Sequence, residues 1–166
     1  AVDASRASSL AGKHSDLVMT FELKTDPATP ADPTGLHQPY ARTKEITVEL
    51  PAGLTGNPQA VPMCTNEEFA SYATGGEGCP QETQVGVARL GLYGYANRLT
   101  EPIFNMVPSG DEVARLGYYA AVAPSFINIE APPERDYAVT ATLENVSAEA
   151  EVVISEAEIW AVPADS

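Results

Sequence analysis

In the stretch "SDLVMTFELK" (15–24), Leu17, Met19, Phe21 and Leu23 alternate with Asp16, Val18, Thr20 and Glu22. A period of two puts one set of side chains on one face of a strand and the other set on the opposite face, whereas a helix would scatter both sets around its axis. Two further stretches repeat the pattern. "KEITVELP" places Ile46, Val48 and Leu50 against Glu45, Thr47 and Glu49, and "DYAVTATLEN" places Tyr137, Val139, Ala141 and Leu143 against Thr140, Thr142 and Glu144. These are strands with one buried and one wet face. Weaker strand signals lie in "TQVGVARLGLYGY", "PIFNMVP", "VARLGYYAAV", "SFINIEA" and "AEVVISEAEIWAV". The last changes phase near Ser155–Glu156, which predicts a bulge there. Pro- and Gly-bearing stretches separate the runs, and the 14 prolines exceed the usual share of about 5%. Many short strands punctuated in this way predict an all-β fold, a β-sandwich or jelly-roll of antiparallel sheets. No internal repeat is visible, and 26–39 reads as a long surface loop.

The two cysteines, Cys64 and Cys79, flank the one helical signal, "CTNEEFASYATGGEGCP". Thr65 and Glu68 form a T-x-x-E capping box, and Phe69 can pack back on Cys64. The helix is expected from Asn66 to about Ala73, ended by Gly75 and Gly76 with positive φ. So short a helix is unstable alone in water. A Cys64–Cys79 disulfide would close a loop of about 15 residues, worth on the order of 3 kcal/mol. The pair implies an oxidising compartment. The spacing is not C-x-x-C, and no other cysteine could complete a zinc site.

A chain of 166 residues fits one domain, here expected as an arm over 1–10 and a single β-sandwich over 11–166. The net charge of −14 argues against nucleic acid and anionic membrane surfaces as partners, and suits solubility and divalent cations. No apolar run approaches the ~20 residues of a membrane span. An initial Ala, with no apolar signal core after it, is what signal-peptide cleavage often leaves, so a mature extracellular chain is expected.

"AGKHSDL" (11–17), "LPAGLTGNPQAVPMC" (50–64), "CPQETQVGVA" (79–88), "PIFNMVPSGDEVARLGY" (102–118), "DYAVTATLENVS" (136–147) and "IWAVPAD" (159–165) follow one another in this order. Together they resemble a β-sandwich module found, often in tandem, in large secreted bacterial surface proteins. The resemblance covers roughly residues 11 to 165. In that module a Pro commonly stands at the position of Ser15 and a Gly at that of Ala161, and this chain carries one copy. The resemblance implies an extracellular, non-catalytic architecture and transfers no active site.

Side chains with chemical potential are few. His14 and Asp16 could share a face as a metal pair or a His–Asp couple, but the only other histidine is His37, and a hydrogen bond at the start of a strand is the simpler account. No serine sits in a G-x-S-x-G elbow. Asp26 and Asp32 could bend around calcium without matching a known loop pattern, and solvated loop acids are the simpler account. No other cofactor or metal is expected. Asn145-Val146-Ser147 fits a glycosylation acceptor pattern that also arises by chance. Arg89, Tyr93 and Tyr95 fall on one face of "RLGLYGYANR" and could form a flat glycan platform, unless they pack beneath a neighbouring loop. Trp160, the only tryptophan, reads as a core or module-junction residue.

The expectation is a non-catalytic extracellular structural subunit of a cell-surface assembly, a filament or layer built from copies of itself. The alternative is a glycan-binding or adhesin module. The arm "AVDASRASSL" supplies an extended segment, with Val2, Ala4 and Leu10 as small apolar anchors and Arg6 for an acidic neighbour. It could add to the sheet edge of the next subunit or fold back on its own domain.

Overall fold

The computed structural model describes residues 2–6 (as backbone), 16–50, 56–133, 138–144, 146–147 and 151–161. Among these residues nine strands are present: β1 (Val2–Arg6), β2 (Leu17–Glu22), β3 (Ile46–Glu49), β4 (Gln84–Leu92), β5 (Leu99–Met106), β6 (Ala114–Ala120), β7 (Ala123–Glu130), β8 (Thr140–Leu143) and β9 (Val152–Ile159). They pair antiparallel in one sheet of order β1-β2-β9-β4-β5-β6-β7-β8-β3. The expected antiparallel all-β fold is seen, but as one continuous hydrogen-bonded sheet. Among the described residues no second sheet separates from it.

The sheet curls, so that strands far apart in its order face one another. A cavity of about 10 Å³ is lined by Phe21 and Leu23 from one end of the sheet and by Ile46 and Leu143 from the other, with Tyr118 between them. The concave face holds the main core, in which Ala88, Leu90, Ile103, Leu116, Tyr118 and Ala157 are all buried. Met19 and Phe21 pack on this core, on the face that their alternation assigns them. Burial pushes the Tyr118 phenol up to about 12.

The convex face is covered over β5–β7 by the stapled helix α1 (Asn66–Ser71). Its capping box is present as expected: Glu68 N–H donates to Thr65 Oγ1, and Thr65 N–H donates to Glu68 Oε2. A 3-10 turn over Tyr72–Thr74 continues it, and Gly75 ends it at φ 83°. Gly76 does not share the positive φ expected of it. Cys64 and Cys79 are bonded. Cys64, Phe69, Met106 and Tyr119 form a second buried cluster, joined by Phe104 and Phe126. The Phe69 ring stacks on Tyr119 at 4.6 Å, and the Tyr119 hydroxyl donates to the Phe69 carbonyl.

Two irregularities adjust the sheet. Between β4 and β9 the register jumps from Gly91↔Ile154 to Leu92↔Val152, so the extra residue is Val153, two positions before the phase change expected at Ser155. At the other end of β4 the extra residue is Val85. Gly86 is required there because a Cβ would run into the Glu158 carbonyl.

Two stability outcomes follow. Phe69→Ala empties the centre of the convex cluster and should cost about 3–5 kcal/mol in a chemical denaturation curve. The β6–β7 hairpin turns through Ala121 and Val122, and Ala121 has φ 57°. Ala121→Gly should raise stability by about 1 kcal/mol in the same measurement, because a left-handed conformation strains any residue with a Cβ.

Candidate functional site

The segment expected to be a loose loop, 26–39, is a knitted hairpin. Tyr40 N–H donates to the Lys24 carbonyl, Asp26 N–H donates to the Gln38 carbonyl, and Thr25 and Pro39 form a bridge between them. Within it the Asp32 carboxylate takes four donors. Thr34 N–H, Thr34 Oγ1–H and Leu36 N–H reach Oδ1, and Gly94 N–H, from the turn after β4, reaches Oδ2 at 3.0 Å. Partial burial pushes the Asp32 carboxyl up, but the hydrogen bonds from Thr34, Leu36 and Gly94 together outweigh it and hold the pKa below its ordinary value. The Tyr93 hydroxyl donates to the Pro30 carbonyl, and Leu36 approaches Gly91 on the convex face. His37 donates from Nδ1 to the Thr29 carbonyl at 2.7 Å, which fixes its tautomer. The excursion is therefore tied to its own base and to β4.

Beside its base lies a polar cleft of about 300 Å³. Asp26, Thr29, Gln38, Tyr40 and Arg42 line it from the hairpin side, and Glu151, just before β9, lines the other. Tyr40 is 65% exposed. Gln38 Nε2 and Arg42 Nε both approach Glu151 Oε1, each at 3.5 Å. These contacts are longer than a close charge-assisted bond of about 2.7–2.9 Å. Donors and acceptor stand near one another without being locked together.

The residues proposed as a glycan platform do not share one flat face. Arg89, on the convex face of β4, donates through one nitrogen to Glu156 and Glu158, each at 2.8 Å. Tyr93 turns to the hairpin at Pro30, and Tyr95 packs against the concave core. The physical reason is that β4 ends at Leu92 and the chain turns at Gly94, φ 86°, so strand alternation no longer governs Tyr95, whereas Tyr93 keeps the face of Arg89 and Gly91 but meets the neighbouring hairpin, the simpler alternative to a platform. Sequence alternation missed Tyr40. Its signal is an aromatic among Gln, Pro and Arg in "HQPYAR" (37–42), a composition that period counting does not score.

Asp16 does make a hydrogen bond at the start of a strand, accepting from Ala161 N–H at 2.8 Å. Its suggested partner His14 lies outside the described residues, as do Leu10, Tyr137 and Asn145. Val2, Ala4 and Arg6 lie on β1, paired with Phe21, Met19 and Leu17 of their own chain. Trp160 is half-buried, and its backbone N–H donates to the Val85 carbonyl. Among the described residues no three His, Cys, Asp or Glu side chains cluster as metal ligands would, and no helix is long and apolar enough to cross a membrane. Asp32, suggested for calcium, spends its carboxylate on four donors instead.

Comparison with known protein families, with curated proteins and with solved structures gave no match in any of the three.

The Asp32 geometry fixes a pH response. Because its folded pKa is depressed, the stability it contributes is present above its ordinary value of 3.8 and is lost as pH falls through the folded pKa. In an acid titration followed by NMR, the Leu36 and Gly94 amide shifts should move together below that value. In Asp32→Asn the acid-dependent movement should vanish.

Proposed function

We propose that this chain is a non-catalytic, extracellular structural module that joins copies of itself by exchanging its N-terminal strand. One observation carries the reading. The continuous sheet ends in two short strands, β1 and β3, whose outer sides have no strand partner among the described residues, and β1 is the N-terminal arm. Among the described strands β1 is hydrogen-bonded to β2 alone, with Ala4 opposite Met19. If it left its own β2 for the β2 of the next copy, it would make the same backbone hydrogen bonds in the same register. Such an exchange is nearly neutral per contact and is driven by concentration. Each copy would give one arm and receive one. When the rotation does not close, a head-to-tail chain results.

The disulfide supports an oxidising, extracellular setting. The charge of −14 supports solubility before assembly. The secreted bacterial surface modules that the sequence resembles supply the context of a cell surface. We take the curled sheet as a half-open form of the jelly-roll sandwich, with its two ends folded over one core. A glycan-binding or adhesin role is favoured by a separate observation, the polar cleft beside Tyr40.

Removal of residues 1–10 tests the arm. The shortened protein should keep its near-ultraviolet circular dichroism while electron microscopy and light scattering show that filaments or oligomers are lost. Assemblies that form as before would refute strand exchange. Ser5→Pro, which strips a ladder donor at the Ser5↔Val18 pair without shortening the chain, should weaken assembly in the same direction.

A further inference from the structure

We infer that the cleft between the Lys24–Tyr40 hairpin and Glu151 is a binding site for a neutral saccharide. The inference gives the binding-module reading a site, and it stands apart from assembly through the arm.

The cleft has room for a small ligand. Its volume of about 300 Å³ lies at the lower end of the roughly 300–1,000 Å³ typical of ligand pockets. It is also preformed. The Asp26–Gln38 and Lys24–Tyr40 backbone bonds hold the hairpin side, and the Gln38 backbone N–H donates to Thr29 Oγ1 at 3.0 Å. A site that is already shaped loses little conformational entropy on binding.

The lining chemistry selects the ligand class. Tyr40 lines the cleft and is 65% exposed, so its aromatic ring is accessible to a ligand. An aromatic face of partial negative charge attracts the polarised C–H groups of a sugar ring as it attracts an aromatic edge. Around it are acceptors, the Asp26 and Glu151 carboxylates, and donors, the Gln38 amide and Arg42 guanidinium. A hydroxyl both donates and accepts, so a vicinal diol can bridge such a set. The 3.5 Å separations of Gln38 and Arg42 from Glu151 Oε1 leave those donors weakly engaged and able to turn to a ligand oxygen. Charge completes the selection. Two carboxylates face one guanidinium in the cleft, on a protein of net charge −14. A phosphate, sulfate or acidic sugar would be repelled, whereas a neutral polyol meets no such penalty.

The test titrates the full chain with cellotriose, maltotriose, chitotriose and mannotriose in turn, following tyrosine ring and backbone amide resonances. At least one sugar should give saturable shifts at Tyr40, Gln38 and Glu151 at millimolar concentration or below. Tyr40→Ala, at an exposed position that leaves the fold intact, should weaken that binding at least tenfold, and Glu151→Gln should weaken it as well. Tyr72→Ala, an exposed tyrosine in the 3-10 turn after the stapled helix, should leave it unchanged. The inference fails if none of the four sugars shifts the cleft resonances, or if the shifts survive in Tyr40→Ala. It also fails if calcium chloride shifts Asp26 and Glu151 while the sugars do not, which would make the cleft a cation site. Assembly is followed separately by light scattering, and the titration is repeated on the chain lacking residues 1–10, so loss of sugar binding and loss of assembly are distinguishable.

Discussion

The contact between Phe69 and the Tyr119 ring is the one on which the rest of the sheet depends. A curled sheet buries its concave face by its own curvature, but its convex face remains wet unless something is laid over it. At β5–β7 that face carries Phe104, Met106, Tyr119 and Phe126, too much apolar surface to leave exposed. The stapled helix supplies the cover. Gly117 makes the approach close, since a Cβ there would meet Met106 Sδ at 2.9 Å and Phe69 at 3.3 Å. The helix is too short to persist alone, so capping box, disulfide and aromatic stack each hold an element that the others also need. Both faces of the central strands can then be apolar.

This explains what was legible in the sequence. β2 reads cleanly because Met19 and Phe21 pack on the core while the convex partners Thr20 and Glu22 stay polar. β8 reads almost as cleanly, although Thr140, on the supposedly wet face, is also buried. β6 is faint because Leu116, Tyr118 and Ala120 serve the concave core while Gly117 and Tyr119 serve the convex cluster, so apolar residues follow one another without alternation. The helix was legible because capping boxes are local, as are the pairs Thr65–Glu68 and Cys64–Cys79.

What stayed hidden depends on contacts distant in sequence. Nothing near Asp32 announces that Gly94 will donate to it, or that Leu36 will lie over Gly91. Proline content marked 26–39 as irregular, and irregular was read as loose. Tyr95 is misplaced for a related reason, because alternation is extended past the end of its strand. The cleft combines residues about 110 positions apart in sequence, from Tyr40 to Glu151, a separation no local pattern can report.

The position of β9 has a consequence for how the chain comes together. It is the last described strand in sequence, yet it lies inside the sheet, between β2 and β4. During synthesis β2 emerges before β4, and the strand that joins them emerges only after both. Until then each waits with a bare rim of amides and carbonyls toward the gap, in a state prone to mispair with other chains. Closure is then a single late insertion that zips two edges at once. Such a long-range step is slow in forming. A nascent chain cut short before Val152 would therefore carry two sticky rims where the finished molecule has a seam.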